Sequence, residues 1–196
     1  MIARAGRLSR QGVLALFTLS NSSDFFLILR AQTTGVSASH TLLLWAAFHI
    51  VKVLSSIFGG DLSDRLGRRR LIVSGWILYA AVYAGFAWLT RPAALLALFL
   101  LYAIYYGLSE GAERALVVAL AGEERRGTVL GAYHLVSGAG LFLASLLFAA
   151  VWEEISPRAA FLVGGALALA AALLMLLVLG RAGASPAPTS RAVATS

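Results

Sequence analysis

Three ionisable side chains interrupt otherwise apolar stretches in the first third of the chain. Asp24 lies in TLSNSSDFFLILR, and His49 and Lys52 lie in FHIVKVL. A charge inside an apolar segment is costly, so each residue is a candidate for binding a solute or carrying a proton. In a continuous helix, Ser20 and Asn21 would lie one turn before Asp24 and share its face. That face either lines a cavity, with Asp24 as a proton or substrate site, or packs on another helix, with Asp24 as a hydrogen-bonded structural carboxylate.

The segment around residue 50 carries four side chains on one helical stripe. They are Trp45, His49, Lys52 and Ser56, at intervals of four, three and four. Lys52 is the only lysine in the chain. It either pairs with Asp24 across a helix contact or extends towards the cytoplasmic headgroups. His49 either titrates near neutral pH or supports a helix contact through a hydrogen bond.

A third group of polar residues lies further along the chain. Tyr106, Glu110 and Arg114 recur every four residues, and Glu113 lies beside them. The order of Glu110 and Arg114 favours an intrahelical ion pair. We expect Glu110, Glu113 and Arg114 to join a charge network at the cytoplasmic surface. Tyr106 lies too deep in its segment for an interfacial aromatic belt, so it is a candidate for lining a solute path.

The segments that carry these residues are long and apolar. Hydrophobic residues make up 60% of the 196 residues, charged residues only 13%, and the mean hydropathy is +0.84. Six apolar runs of about 18–24 residues are each long enough to cross a bilayer as a helix. They cover roughly 11–30, 41–58, 71–89, 93–112, 128–151 and 159–179. The absence of cysteine excludes disulfide and thiol chemistry.

The arginines predict the orientation of the six spans. If the N-terminus is cytoplasmic, twelve arginines lie on the cytoplasmic side: Arg4, Arg7, Arg10, Arg65, Arg68, Arg69, Arg70, Arg114, Arg125, Arg126, Arg181 and Arg191. Three lie on the other side: Arg30, Arg91 and Arg158. This bias predicts cytoplasmic termini. The net charge of +7 is therefore a sign of membrane topology, and we expect no nucleic-acid partner.

A dense charge cluster, GDLSDRLGRRR, connects the second and third spans on the cytoplasmic side. Gly59 and Gly60 at a helix end would let another backbone approach closely. Gly67 would permit a sharp turn. Asp64 could accept backbone N–H bonds at a helix N-terminus or pair with arginine.

The cluster resembles the signature loop of the major facilitator superfamily, whose pattern is roughly G-x-L-a-D-r-x-G-r-k. The matching residues are Gly60, Leu62, Asp64, Arg65, Gly67, Arg68 and Arg69. The later stretch LSEGAERALVVALAGEERRGTVLGAYH resembles the fourth span and following loop of the C-terminal half of such transporters. The resemblance covers nearly the whole chain except the tail. It implies that the loop latches two helix bundles together in one conformation and releases them in the other.

The resemblance also implies the fold and the partners. We expect an all-α integral membrane protein with six transmembrane helices over residues 1–182, forming a half-bundle of two inverted three-helix repeats. Residues 183–196 are small and polar, and are expected to form a disordered cytoplasmic tail. The family has twelve spans in two halves, with the substrate between them. The partners expected are therefore the lipid bilayer, a small-molecule solute, and a missing N-terminal six-helix half or a second copy.

The function expected is secondary active transport of a small organic solute across the cell membrane, coupled to protons. An enzyme is not expected, because no aspartate follows Asp64 to complete a four-aspartate metal site and no nucleophile motif is present. We expect neither a metal nor a cofactor. A non-transporting six-span scaffold or assembly partner remains the alternative.

Overall fold

The computed structural model describes residue 13 and residues 16–121 and 126–183, with side chains described up to residues 118 and 177 in the two later helices. Within these ranges the chain is helical. Residues 16–20 are helical, and six helices follow: α1 (Phe25–Thr33), α2 (Ala38–Leu66), α3 (Arg68–Trp88), α4 (Pro92–Ala121), α5 (Arg126–Glu154) and α6 (Pro157–Gly183). The N-terminal arginines and the predicted tail from residue 184 lie outside the described residues.

Five helices of the described chain, α2 to α6, are long and apolar enough to cross a membrane. The chain is therefore an integral membrane protein, as the composition predicted. The first predicted span differs from the expectation, because it is not one continuous helix. Its helical residues end at Ser20, residues 21–23 have no regular structure, and α1 begins only at Phe25.

The sequence NSSD explains this break. Short polar side chains compete with the backbone for hydrogen bonds and favour turns over helix interiors. The backbone N–H of Asn21 still donates to the Thr18 carbonyl at 3.2 Å, and that of Ser22 donates to the Ser20 carbonyl at 3.2 Å. The shared helical face predicted for Ser20, Asn21 and Asp24 is therefore wrong, since the helix does not continue between them.

The turns between helices follow the sequence. Gly67 joins α2 to α3 with φ of 84°, a left-handed conformation that glycine adopts without a steric penalty. Its N–H donates to the Ser63 carbonyl at 3.0 Å. Pro92 and Pro157 begin α4 and α6, at the helix position that proline favours. At the other end of α3, the Arg30 guanidinium donates to the Phe86 carbonyl at 3.2 Å.

The core is centred on α3, which packs against both α4 and α6. Trp76, Tyr79, Tyr83 and Phe86 of α3 are fully buried. Glycines allow the close approach that lipid-embedded helices need. Gly164 of α6, for example, lies where an added Cβ would meet the Tyr83 ring at 2.9 Å.

Helices α2 and α4 also cross at close range. A Cβ on Gly59 would lie 3.0 Å from the Gly107 carbonyl oxygen, and one on Gly107 would lie 2.6 Å from the Lys52 carbonyl oxygen. The predicted close approach at Gly59 is confirmed. No such approach is seen at Gly60, where no described atom lies within 4 Å of the Cβ position. Gly60 follows Gly59 on the helix and faces away from α4.

The two helices with the most exposed apolar surface are α2 and α5. In their most apolar windows only 17% and 11% of residues are buried, against 56% in α3. Exposed leucine, isoleucine, valine and phenylalanine side chains dominate these surfaces. Such surfaces suit lipid or another helix bundle.

Candidate functional site

The break in the first span is held by tyrosine hydroxyls from neighbouring helices. The Tyr79 hydroxyl of α3 donates to the Ser20 carbonyl at 2.8 Å. One turn further along α3, the Tyr83 hydroxyl lies 3.2 Å from the Ser22 hydroxyl. Because both tyrosines are fully buried, these bonds satisfy polar groups that a helix would otherwise satisfy internally.

The carboxylate of Asp24 receives a hydrogen bond of the same kind. The Tyr102 hydroxyl of α4 donates to Asp24 Oδ1 at 2.7 Å and lies 3.5 Å from Asn21 Oδ1. On the opposite side, the backbone N–H of Ser23 donates to the Ser145 hydroxyl of α5 at 3.1 Å. The break therefore brings Asn21 and Asp24 together, although by a different geometry from the predicted helical face.

Asp24 and Asn21 line a cleft of about 680 Å³ between the break, α1, α2, α4 and α5. Its walls are Asn21, Ser22, Ser23, Asp24, Phe25, Ile28, Gln32, Ala38, Thr41, Leu42, Trp45, Tyr106 and Leu141. The cleft combines one carboxylate, several amide and hydroxyl groups, and apolar and aromatic surface. This composition is typical of a site for a small organic molecule.

Lys52 does not pair with Asp24. Its ammonium lies 3.0 Å from Glu110 Oε2 and 3.8 Å from the centre of the Tyr106 ring. Both predictions for Lys52, pairing with Asp24 and extension to the headgroups, are therefore wrong in this structure. The reason is the close α2–α4 crossing, which brings Lys52 beside the Glu110 face of α4. His49, which was predicted to share a helical stripe with Lys52, is exposed and makes edge-on ring contacts with Trp45 and Phe48.

Glu110 lies between two cations. It accepts from Lys52 of α2 and from Arg114 one turn later on its own helix. The predicted intrahelical pair of Glu110 and Arg114 is confirmed. Lys52, Glu110 and Arg114 thus form a charge chain that runs from the side of the cleft towards the end of α4.

Glu113 does not join this surface network, so its predicted placement is wrong. Its carboxylate is buried and accepts from the Trp76 indole N–H at 2.8 Å and from the Tyr133 hydroxyl at 3.4 Å. On a helix, Glu113 lies on a different face from Glu110, and here that face packs against α3 and α5. Glu113 thereby ties together three helices.

A second cavity of about 260 Å³ adjoins the cleft. Asn21, Tyr106 and Leu141 line both spaces. The second cavity also contacts Glu110, Glu113, Arg114, Tyr133 and His134. Polar groups therefore continue from Asp24 along α4 towards the charge chain.

The predicted loop at residues 60–70 consists in the structure of the last turns of α2, the turn at Gly67 and the first residues of α3, and the name loop is kept for this segment. Arg65 pairs with Asp61 one turn earlier, and both side chains are exposed. The Arg68 guanidinium lies 3.5 Å from the Ala115 carbonyl of α4. Asp64 is exposed and makes no hydrogen bond or ion pair to any residue in the described ranges. The predicted bonds of Asp64 to a helix N-terminus or to arginine are therefore not formed here.

Three residues that the sequence reasoning did not assign to the site are central to its geometry: Trp76, Tyr79 and Tyr83. The signal was the aromatic spacing of three and four residues along the third span, which places these rings on one face of α3. Their spacing predicts a buried aromatic surface. It does not predict that the hydroxyls would bind a break in another span.

Comparisons with known proteins agree with this architecture. The family model described as Major Facilitator Superfamily matches residues 12–195. The chain is 38% identical over 170 residues to an uncharacterized MFS-type transporter of Methanocaldococcus jannaschii, covering 84% of this chain and 42% of that protein. It is 30% identical over 131 residues to an uncharacterized MFS-type transporter of Bacillus subtilis, covering 65% of this chain and 31% of that protein.

A third relative has a named substrate. The chain is 31% identical over 157 residues to the arabinose-proton symporter of Escherichia coli K12, covering 80% of this chain and 31% of the symporter. The chain thus spans less than half the length of these three relatives. The helical bundle, the loop between α2 and α3, and the family match over nearly all residues lead to one conclusion: the chain belongs to the major facilitator superfamily.

Proposed function

We propose that the chain is one six-helix half of a secondary active transporter that moves a small organic solute, coupled to protons. The observation that carries the proposal is the cleft at the broken first span, where Asp24 and Asn21 face a space large enough for such a solute. Broken helices that place polar groups beside a cavity are a recurrent form of binding site in transporters. Membership of a transporter family argues against an enzyme.

The proposed proton site is Asp24. Its carboxylate lies at the cleft, accepts a hydrogen bond from Tyr102, and interacts electrostatically with His49, Lys52 and Glu110. A carboxylate in such a place can be neutralised by a proton or by a bound cation. Similarity to a proton symporter supports coupling to protons, although the matched region covers only 31% of that protein.

The proposed partner is a second six-helix bundle, either a separate N-terminal half or another copy of this chain. The exposed apolar surfaces of α2 and α5, and the relatives' greater length, support this proposal. The second bundle would complete the cleft. We also propose that the protein lies in the cell membrane with both termini in the cytoplasm, on the evidence of the arginine bias.

The loop between α2 and α3 is proposed as the latch to that second bundle. Gly60, Asp64, Arg65, Gly67, Arg68 and Arg69 are its residues. Asp64 is exposed and forms no bond to the described residues, which leaves its carboxylate free for a group on the second bundle. Arg114 and Glu110 lie nearer the cleft and would transmit a change in the latch to Lys52.

The test is gradient-driven flux in proteoliposomes that hold the complete twelve-span assembly and a pH-sensitive dye. A solute panel that includes arabinose would be applied under an imposed proton gradient. We expect solute-dependent proton movement, and we expect Asp24→Asn to reduce it by about tenfold or more while the protein still inserts and folds. Glu153→Gln, which changes an exposed carboxylate at the end of α5, is the control.

A transporter whose flux is unchanged by Asp24→Asn across a range of pH would contradict the assignment of Asp24. A chain that assembles with its partner but gives no flux with any solute would favour the scaffold alternative.

A further inference from the structure

The cleft beside the broken span has a single formal charge in its wall. Of the thirteen described residues that line it, only Asp24 has an acidic side chain, and none has a basic one. Asn21, Gln32, Thr41 and the serines are neutral hydrogen-bonding groups. Any solute that enters the cleft therefore meets a carboxyl group with no basic side chain in the same described lining.

Lys52, a basic side chain close to the cleft, is already engaged by other groups. Lys52 forms an ion pair with Glu110 at 3.0 Å and lies over the Tyr106 ring. Within the described part of the chain, no lysine, arginine or histidine nitrogen lies within 4.0 Å of the Asp24 carboxylate. The hydrogen bond from Tyr102 is made by a neutral donor, so the Asp24 carboxyl group has no cation in direct contact, and Lys52 and His49 act on it only from a distance.

Aromatic and aliphatic side chains complete the wall. Phe25, Trp45 and Tyr106 supply rings, and Ile28, Leu42 and Leu141 supply aliphatic surface. Trp45 is held by stacking on Phe48, with ring centres 5.3 Å apart. Aromatic rings attract organic cations through their electron-rich faces, most strongly when water is excluded.

We propose that this cleft binds a monovalent organic cation, an amine or quaternary onium with apolar substituents, with Asp24 as its counter-ion. The ammonium would replace the missing partner of Asp24, and the substituents would lie against Trp45 and the aliphatic side chains. This identification of the solute class deepens the proposed transport function and rests on it. Binding itself, however, can be measured without transport.

Other solute classes fit the described wall less well. An organic anion would meet the charge of Asp24 with no cation in the lining to compensate it. A neutral sugar could bond to Asn21, Gln32 and Asp24, but its hydroxyls would also face Phe25, Ile28 and Leu42, which offer no hydrogen-bond partners. The size of the space, about 680 Å³, suits a drug-sized molecule.

The test uses two ions of nearly the same shape and opposite charge. Radiolabelled tetraphenylphosphonium would be titrated onto the complete assembly in lipid nanodiscs, with empty nanodiscs as the blank, and tetraphenylborate and arabinose would be added as competitors. Benzyltrimethylammonium serves as a second, smaller cation. We expect saturable binding of at least one of the two cations, and no competition from tetraphenylborate or arabinose.

Variants identify the counter-ion. Asp24→Asn keeps the shape and can still accept from Tyr102, so we expect a folded protein whose cation affinity falls by about tenfold or more. Tyr102→Phe keeps the charge and removes the hydrogen bond, and we expect cation affinity to stay within about threefold. Glu153→Gln should leave binding unchanged.

The proposal is overturned if neither cation binds saturably, if tetraphenylborate or arabinose competes as strongly as the cations, or if Asp24→Asn binds them normally. An Asp24→Asn protein that fails to fold would be replaced by Asp24→Glu, which must retain cation binding. Cation binding without any flux in proteoliposomes would count against the transport function and leave this inference standing. Flux of a neutral solute without cation binding would support the transport function and overturn this inference.

Discussion

The break in the first span and the loop between α2 and α3 are both polar interruptions of an apolar chain, but they are bonded very differently. The break accepts hydrogen bonds from the Tyr79 and Tyr102 hydroxyls and donates one, from the Ser23 backbone N–H, to the Ser145 hydroxyl. The loop carries more charge, and its bonds include one exposed ion pair and one long contact to α4. Within the described residues, the break is therefore bonded to several helices, whereas the loop is largely exposed.

The close crossing of α2 and α4 connects these two regions, and its disruption should have the largest effect. Gly107→Ala would place a Cβ 2.6 Å from the Lys52 carbonyl oxygen and 2.6 Å from the Ser55 Cβ. Because backbone atoms cannot move aside as the tip of a side chain can, we expect the free energy of unfolding to fall by about 2 kcal/mol or more. The measurement is the folded fraction that survives heating in detergent, judged by size-exclusion chromatography.

Gly111→Ala is the matched control for this prediction. Gly111 lies one turn later on the same helix and has no described atom within 4 Å of its Cβ position. Alanine there should be neutral or stabilise the helix by about 0.5–1 kcal/mol. Equal heat resistance of the two variants would contradict the close crossing.

The second prediction compares one bond of the break with one bond of the loop. Tyr79→Phe would remove the shorter of two hydrogen bonds to the Ser20 carbonyl in a buried site and leave only the one from the Ser22 N–H, at a cost of about 1 kcal/mol in the free energy of unfolding. Asp61→Asn would remove an ion pair whose side chains are 66% and 74% exposed, at a cost below about 0.5 kcal/mol. Both are read in the same thermal assay, and a larger loss for Asp61→Asn would reverse the comparison.

The sequence was informative about the elements and less informative about their contacts. Hydropathy located α2 to α6, because each is a long apolar run bounded by glycine, proline or charge. It missed the break, because four polar residues inside an apolar window change its average little. The run NSSD was the local signal, but its stabilising partners, Tyr79 and Tyr102, lie more than fifty residues away in sequence.

The sequence likewise identified some residues of the site but not the contacts that they make. Asp24 and Asn21 were identified because ionisable and amide groups are unusual in an apolar span, and the cleft contains both. The partner of Lys52 was not predictable, since Asp24 and Glu110 were both available carboxylates. Helix packing decided between them: the glycine at 107 brings the α2 and α4 backbones together, and Lys52 then lies beside Glu110.

The third prediction concerns the turn within the loop. Gly67 has φ of 84°, so Gly67→Ala should cost roughly 1 kcal/mol through backbone strain, even though space is available for the methyl group. Gly60→Ala is the control, because Gly60 is helical and has open space around it. Heat resistance that falls for Gly60→Ala and not for Gly67→Ala would contradict the described turn.

The smallest effect on stability is expected for Asp64→Asn. Its carboxylate is exposed and makes no bond to the described residues, so its loss should change the free energy of unfolding by less than about 0.5 kcal/mol.

If Asp64 instead contacts the second bundle in one conformation, the same change should shift the balance of conformations in the complete assembly. Single cysteines introduced at Ala38 or Thr41 in the cleft can report that balance through their labelling rates, because the native chain has no cysteine. Asp61→Asn is the matched control, since Asp61 is an exposed carboxylate one turn away that already has a partner in Arg65. Labelling rates that change for Asp64→Asn and not for Asp61→Asn would support a latch, whereas identical rates for the two would leave the loop with a role in membrane orientation alone.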